Sequence, residues 1–200
     1  MLNAKIRRRW DRFMRPIGEA AARTGVTPDA ITYTGVCIQV VAAVLIVQGR
    51  LLAAGLISIV AALADVFDGA VAKARGATGK YGAFLDSTTD RISDALYFAP
   101  LAWLYGVSPD IPEHDEPWVA GAALGVLVFS FLVSYAKARA ESLGYECTVG
   151  IAERAERLVV IIAALVLDLV PPALVLLLVG TVVTFVQRVV HVRVQARSAR

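Results

Sequence analysis

Aspartates stand in this sequence at positions where an apolar helix would not normally carry charge. Asp65 and Asp68 end one long apolar run, and Asp86 and Asp90 lie near the beginning of the next. Residues three or four apart share one face of a helix, and the short connection 74–82 makes the two predicted helices antiparallel neighbours. We therefore expect the four carboxylates to converge just below one membrane surface.

Four carboxylates so close together would repel one another unless cations neutralised them. Oxygen ligands without a nearby His or Cys suit the hard divalent ions Mg²⁺ and Mn²⁺, and a pair of such ions commonly serves phosphoryl transfer. Gly69 and Gly82 fit this interpretation because a residue without a side chain lets a bulky ligand approach the helix. The alternatives are ion pairs with basic residues at the membrane boundary, or the acidic site of an ion-coupled transporter.

Composition and hydropathy indicate the elements that must position these groups. Of the 200 residues, 58% are hydrophobic and 18% are charged, with a mean hydropathy of +0.65, whereas soluble domains are about 45–50% apolar. Six apolar segments come near the ~20 residues that a membrane-spanning helix needs. They are residues 31–48, 51–74, 84–106, 118–140, 152–169 and 172–192. The sequence therefore predicts an all-α integral membrane protein, one domain over 1–200 with a six-helix transmembrane bundle over 31–192.

The N-terminal residues 1–23 have a different pattern. Ile6, Trp10 and Phe13 recur at helical spacing among basic residues, which is typical of an amphipathic helix lying in the membrane interface. A solvated basic tail is the alternative. We expect a juxtamembrane helix that precedes the bundle.

Basic residues also predict the orientation. All 20 Lys and Arg except Arg50 fall on the side of the N-terminus and the aspartates, and the positive-inside rule makes that side, with both termini, cytoplasmic. The connections at 48–50, 108–116 and Pro171-Pro172 then face the opposite side. Basic residues at a cytoplasmic surface interact with anionic lipid. The net positive charge of the chain is therefore explained without a nucleic-acid partner.

A second charged group lies between the fourth and fifth predicted helices. Lys137 and Arg139 end the fourth helix, and Arg154 and Arg157 begin the fifth, on the side that carries the aspartates. These cations could clamp the phosphate of an anionic acceptor, or they could simply be topology signals paired with neighbouring glutamates. Further candidates near the end of the sixth helix are Arg188 and Arg193.

The acidic motif is similar to a family signature. Asp65-x2-Asp68-Gly69-x2-Ala72-Lys73-x8-Gly82-x3-Asp86-x3-Asp90 resembles D-x2-D-G-x2-A-R-x8-G-x3-D-x3-D of the CDP-alcohol phosphotransferases. It departs only at Lys73, where the family usually has Arg. The resemblance implies six transmembrane helices preceded by a juxtamembrane amphipathic helix, usually in a homodimer.

The resemblance also implies roles for single residues. Asp65, Asp68 and Asp86 would hold two Mg²⁺ or Mn²⁺ ions, while Asp90 would contact the second ion and act as the general base. The stretch T-P-D-A-I-T at 27–32 resembles the family's T-P-N-x-x-T, and read from the residues alone it is a helix start capped by Asp or Thr. The residues that would bind CDP-diacylglycerol are Pro28, Asp29, Ala30, Ile31, Thr32, Gly69, Lys73 and Gly82.

The acceptor is indicated by S-Y-x-K-A-R-A-E at 134–141 and V-G-x-x-E-R at 149–154. These resemble the branch that joins CDP-diacylglycerol to inositol 1-phosphate, giving phosphatidylinositol phosphate and CMP; a branch using glycerol 3-phosphate is the alternative. Both imply phospholipid biosynthesis in the cell (inner) membrane with a cytoplasmic active site. The residues that would bind the acceptor phosphate are Lys137, Arg139, Arg154, Arg157 and Arg193.

Overall fold

The computed structural model describes residues 27–74, 79–107 and 116–198 of the chain. Every regular element in these ranges is an α-helix, and no strand occurs in them, as the sequence predicts. The helices are α1 (Pro28–Val47), α2 (Leu51–Ala74), α3 (Lys80–Gly106), α4 (Pro117–Ser142), α5 (Arg154–Leu167) and α6 (Val170–Ser198). The predicted surface helix 1–23 and the acidic connection 108–115 lie outside the described residues.

The end of α1 follows from a glycine. Gly49 adopts φ 71°, and the N–H groups of Gly49 and Arg50 donate to the carbonyl oxygens of Ile46 and Leu45, each at 2.9 Å. This is the left-handed C-terminal motif that glycine favours, because a side chain there would be strained. The predicted connection at 48–50 is confirmed.

The connection between α5 and α6 is shorter than predicted. The prediction that Pro171 and Pro172 form this connection is wrong, because both lie in the first turn of α6, which begins at Val170. Proline is tolerated there since the first N–H groups of a helix have no partner within it. The turn itself consists of Asp168, which ends α5 with φ 56°, and Leu169.

Among the described helices, three are long and apolar enough to cross a membrane, namely α1 from Asp29, α4 and α6. The remaining three fall short of the prediction for different reasons. With 14 residues, α5 is about 21 Å long at 1.5 Å per residue, less than the ~30 Å of a hydrocarbon core. In α2, the apolar stretch found among the described side chains is Leu51–Asp65, and α3 carries acidic residues and Arg91 within its length.

The described helices divide into two compact units. The first unit contains the described residues up to Val41 together with Ile57–Ser93, and the second contains Ala42–Leu56 and the described residues from Asp94 onwards. In the first unit, α1 and α2 approach closely at Gly35, where a Cβ atom would lie 3.5 Å from the Cβ of Ala64. Ala64, which makes this contact, directly precedes Asp65 in α2.

The second unit has a continuous apolar core. In it, α4 packs along α6, with the rings of Phe129 and Phe185 edge to face at a centroid distance of 6.0 Å. The largest fully buried side chains of this core include Tyr97, Phe98, Leu101, Ile161 and Leu174. This core occupies the N-terminal halves of α4 and α6 and the C-terminal half of α5, whereas the predicted acceptor cations lie toward the other ends of these helices.

Two glycines of α4 illustrate how closely the helices pack. Gly121 and Gly125 have the G-x3-G spacing that permits close helix contact. A Cβ at Gly125 would lie 2.9 Å from Cδ1 of Leu178 on α6, whereas a Cβ at Gly121 would meet no described atom within 4 Å. Gly125 therefore serves packing within the chain.

We expect Gly125→Val to lower the stability of the protein by about 1–3 kcal/mol, because the added methyl groups overfill the contact with Leu178. Gly121→Val is the matched control, since it makes the same change in helix propensity on the same helix. Thermal unfolding of the detergent-solubilised protein measures both. A loss for Gly121→Val as large as that for Gly125→Val would contradict the packing assignment.

Candidate active site

Three of the four predicted carboxylates meet in the first unit. One oxygen from each of Asp65, Asp86 and Asp90 lies within 4.8 Å of the other two. Asp65 and Asp90 are partly buried, and Asp86 is exposed. Asp68 lies in α2 three residues after Asp65, and its side chain is not among those that the structure describes.

The first turns of α3 present two of these carboxylates without disturbing the helix. The hydroxyl groups between them bond backwards to carbonyl oxygens: Thr88 Oγ1 donates to Phe84 at 2.8 Å, and Thr89 Oγ1 donates to Leu85 at 2.9 Å. Hydroxyls engaged in this way are satisfied within their own helix. The polar run 86–90 thus keeps helical geometry, which places Asp86 and Asp90 on one face.

The charges of this cluster favour a cation. At separations near 5 Å, two carboxylates repel each other by up to about 3 kcal/mol at an effective dielectric constant near 20, and by less where solvent reaches Asp86. Asp90 has a cationic neighbour, since Arg91 Nη1 lies 3.6 Å from its Oδ2. A donor set made of carboxylate oxygens fits hard divalent cations such as Mg²⁺ and Mn²⁺.

The predicted nucleotide-binding stretch forms the beginning of α1. The N–H of Ala30 donates to Thr27 Oγ1 at 3.2 Å, so Thr27, of the two candidates, is the N-cap residue. Pro28 follows at the first helical position, where its missing N–H has no cost. Asp29, Ile31 and Thr32 are partly buried in this first turn, and Ala30 is exposed.

The other residues predicted to touch the CDP moiety lie on α2 and α3. Gly69 and Lys73 belong to the last two turns of α2, and neither is among the residues whose surroundings the structure describes. Gly82 lies in the first turn of α3, four residues before Asp86, and is partly exposed. All three positions belong to the first unit, as do the carboxylates.

The predicted acceptor cations belong to the second unit. Lys137 and Arg139 lie near the C-terminal end of α4, Arg154 is the first residue of α5, and Arg193 lies near the end of α6. Lys137 and Arg154 are partly buried, while Arg139 and Arg193 are exposed. These four positions therefore lie at the ends of helices, where a polar ligand can reach them.

Arg157 is placed differently. It is buried, and its Nη2 donates to Asp94 Oδ2 at 2.6 Å while its Nη1 donates to the carbonyl oxygen of Ala152 at 3.1 Å. A carboxylate within an apolar helix needs a partner, and Arg157 supplies it for Asp94. The sequence motif contains no signal for this pair, because its members are far apart along the chain.

The helices, three of which are long and apolar enough to cross a membrane, are those of an α-helical membrane protein, and its carboxylate cluster is suited to divalent cations. Residues 25–187 match the sequence model of the family described as CDP-alcohol phosphatidyltransferase. The chain belongs to this family and is a transferase. The resemblance of the acidic motif is thus confirmed.

Two relatives are similar to this chain over most of its length. The phosphatidylinositol phosphate synthase of Mycolicibacterium smegmatis is 38% identical over 191 residues, which cover 90% of this chain and 83% of the relative. The archaetidylinositol phosphate synthase of Pyrococcus horikoshii is 35% identical over 188 residues, which cover 93% of this chain and 94% of the relative. The chain thus matches these proteins over nearly its whole length.

A solved structure is similar as well. The phosphatidylinositol phosphate synthase of Mycobacterium tuberculosis with CDP-DAG bound has a TM-score of 0.78 and 35% sequence identity, covering 90% of this chain and 94% of the solved one. The same protein in complex with manganese and citrate also has a TM-score of 0.78, at 90% and 88% coverage. Manganese in that structure agrees with the oxygen ligands of the carboxylate cluster here.

Proposed function

We propose that this protein transfers the phosphatidyl group from CDP-diacylglycerol to inositol 1-phosphate, giving phosphatidylinositol phosphate and CMP. The observation that carries the proposal is the meeting of Asp65, Asp86 and Asp90 in a CDP-alcohol phosphatidyltransferase. The choice of substrates is supported by the relatives. The Mycobacterium tuberculosis enzyme holds CDP-DAG, and the two other relatives are by name a phosphatidylinositol phosphate synthase and an archaetidylinositol phosphate synthase.

In this mechanism the aspartates divide two tasks. Asp65, Asp68 and Asp86 would hold two divalent ions, Mg²⁺ or Mn²⁺, and Asp90 would contact the second. When bound, the ions stabilise the negative charge that develops on the phosphate of departing CMP. The Asp90 carboxylate accepts the proton of the acceptor hydroxyl as that oxygen forms its bond to the phosphorus bearing the lipid, and the bond from this phosphorus to CMP breaks.

The proposed site for CDP-diacylglycerol consists of residues of the acidic motif on α2 and α3 together with the first turn of α1. Gly69 and Gly82 leave room for the diphosphate beside the carboxylates, and Lys73 supplies a positive charge where the family usually has Arg. Residues 28–32 hold the cytidine end. Thr27 caps the helix directly in front of these residues.

The acceptor phosphate is proposed to bind cations of the second unit. Arg154 is the principal candidate because it is the first residue of α5 and partly buried, and Lys137, Arg139 and Arg193 complete the set. Arg157 contributes by another route, since its guanidinium is engaged with Asp94. Its role is to hold the start of α5.

We further propose a single domain with six membrane segments and a juxtamembrane helix, in which the shorter and more polar helices complete the bundle. The positive-inside pattern supports cytoplasmic termini and an active site facing the cytoplasm at the inner membrane. A homodimer is the expected assembly, as in the family.

One assay tests the substrate assignment. Purified protein receives CDP-diacylglycerol and Mn²⁺ with inositol 1-phosphate, free inositol or glycerol 3-phosphate, and the lipid product is identified by mass spectrometry. We expect a product with inositol 1-phosphate and none with free inositol, because the cations recognise a phosphate. If only glycerol 3-phosphate gave a product, the assignment of inositol 1-phosphate as the acceptor would be wrong, while the assignment to the family would still hold.

A further inference from the structure

Residues 143–153, which connect α4 to α5, are fastened to α6 by polar side chains. Thr184, Arg188 and Gln195 lie four and seven residues apart and therefore on one face of α6. Gln195 forms two hydrogen bonds with the backbone of Glu146, accepting from its N–H at 3.1 Å and donating to its carbonyl oxygen at 2.6 Å. We call these three side chains the α6 clasp.

Arg188 is the central member of the clasp. Its Nη1 donates to the carbonyl oxygen of Val133 on α4 at 2.7 Å, its Nε donates to the carbonyl oxygen of Val149 at 2.9 Å, and its Nη2 donates to Glu153 Oε1 at 2.7 Å. Only 4% of its side chain is exposed. One guanidinium thus connects α6 with α4, with the connecting segment and with the start of α5.

The positions that Arg188 holds are next to the proposed phosphate-binding cations. Val133 precedes Lys137 by about one helical turn, and Glu153 directly precedes Arg154. Arg188 itself is too deeply buried to bind a phosphate, and each of its three nitrogens already donates a hydrogen bond within the protein. Its geometry is therefore that of a residue that orients other cations.

The contact with Glu153 has an electrostatic consequence. Glu153 occupies the N-cap position of α5, yet its side chain makes no hydrogen bond to that helix and turns to Arg188 instead. The guanidinium thus compensates a negative charge that would otherwise stand beside Arg154. An anionic acceptor approaching Arg154 meets less repulsion as a result.

Thr184 holds the same segment independently of charge. Its Oγ1 accepts hydrogen bonds from the N–H groups of Ile151 and Ala152, at 3.2 and 3.0 Å. The chain approaches so closely here that a Cβ at Gly150 would lie 2.7 Å from Cγ2 of Thr184, and Gly150 has φ 154°. Segment 150–152 is therefore fixed directly ahead of Glu153 and Arg154.

We propose that Arg188 is a positioning residue of the acceptor site, which sets the start of α5 through Glu153 and thereby holds Arg154 in place for the acceptor phosphate. Thr184 assists through the backbone of 151–152. The proposal rests on the proposed function, and it predicts that loosening the clasp weakens use of the acceptor far more than use of the lipid donor.

The test compares Arg188→Lys and Thr184→Val with wild type. Lysine keeps the charge of Arg188 but not its fork of donors, and valine keeps the shape of threonine without its hydroxyl. Arg197→Lys, at an exposed position in the last turn of α6, and Thr184→Ser, which keeps the hydroxyl, are the matched controls. The measurements are KM for inositol 1-phosphate, KM for CDP-diacylglycerol and the melting temperature.

We expect both test variants to raise the acceptor KM by roughly tenfold or more, since small displacements of binding groups have large kinetic effects, with the donor KM changed less than about twofold. Both controls should keep wild-type values. Equal rises of the two KM values, or a lower melting temperature with both KM values unchanged, would overturn the proposal. If Arg188→Lys does not fold, Thr184→Val decides alone.

Failure of the proposed function is distinguishable from failure of this inference. If wild type forms no product with inositol 1-phosphate, the substrate assignment fails before the variants are compared. The same measurement with glycerol 3-phosphate then tests the clasp, because either acceptor carries the phosphate that Arg154 would bind.

Discussion

Asp90→Asn should lower kcat for CMP release from CDP-diacylglycerol by about 10²- to 10⁴-fold, the usual contribution of a general base. The amide has nearly the same shape as the carboxylate but cannot accept the proton of the acceptor hydroxyl. Because Asp90 lies in the intact helix α3, with its neighbouring hydroxyls satisfied within that helix, the loss should be chemical rather than structural. Release of CMP is followed with radiolabelled donor at saturating substrate.

The matched control is Asp168→Asn, at the left-handed position that ends α5. Asparagine tolerates this conformation, so the variant changes a carboxylate to an amide without strain and should keep full activity. An Asp90→Asn enzyme that retains wild-type turnover would remove the assignment of the base. A melting temperature close to wild type is required for either conclusion.

Asp86→Asn should weaken Mn²⁺ binding by roughly 10²-fold or more, since even the outer partners of metal ligands contribute 10- to 100-fold. The carboxylate oxygens of Asp65, Asp86 and Asp90 lie within 4.8 Å of one another, so the substitution replaces a charged carboxylate ligand by a neutral amide and removes part of the negative potential. Electron paramagnetic resonance of free Mn²⁺ in a titration measures the affinity directly, without substrate.

Glu146→Gln is the control for this titration. Glu146 is exposed, and its described hydrogen bonds use backbone atoms, so the substitution removes a carboxylate outside the cluster and should leave Mn²⁺ affinity at the wild-type value. Equal affinities for Asp86→Asn and Glu146→Gln would contradict the metal site.

The carboxylate cluster could be predicted because local spacing determines it. Asp86 and Asp90 share a face in any helix, and charge within apolar segments has few uses other than binding. The meeting of Asp65 with this pair followed from the short connection between two apolar segments. For the same reason the helix types were predictable, as each apolar run is longer than a strand.

Long-range polar contacts could not be predicted in the same way. Arginine is a residue type that commonly binds phosphate, yet Arg157 and Arg188 are both buried. Arg157 pairs with Asp94 and Arg188 with Glu153, and both partners are far away in sequence. Sequence spacing contains no information about which face of a helix meets which neighbour. Pro171 was misplaced because proline breaks a helix interior but is accepted in its first turn.

Product formation by purified wild-type protein in defined detergent micelles tests the metal-dependent phosphatidyl transfer most directly. CDP-diacylglycerol and inositol 1-phosphate are supplied with Mn²⁺ or with excess chelator, and CMP and lipid are quantified together by mass spectrometry. We expect equimolar CMP and phosphatidylinositol phosphate with Mn²⁺ and neither product with chelator. Undiminished transfer in chelator, or release of CMP without a phosphatidyl product, would contradict it.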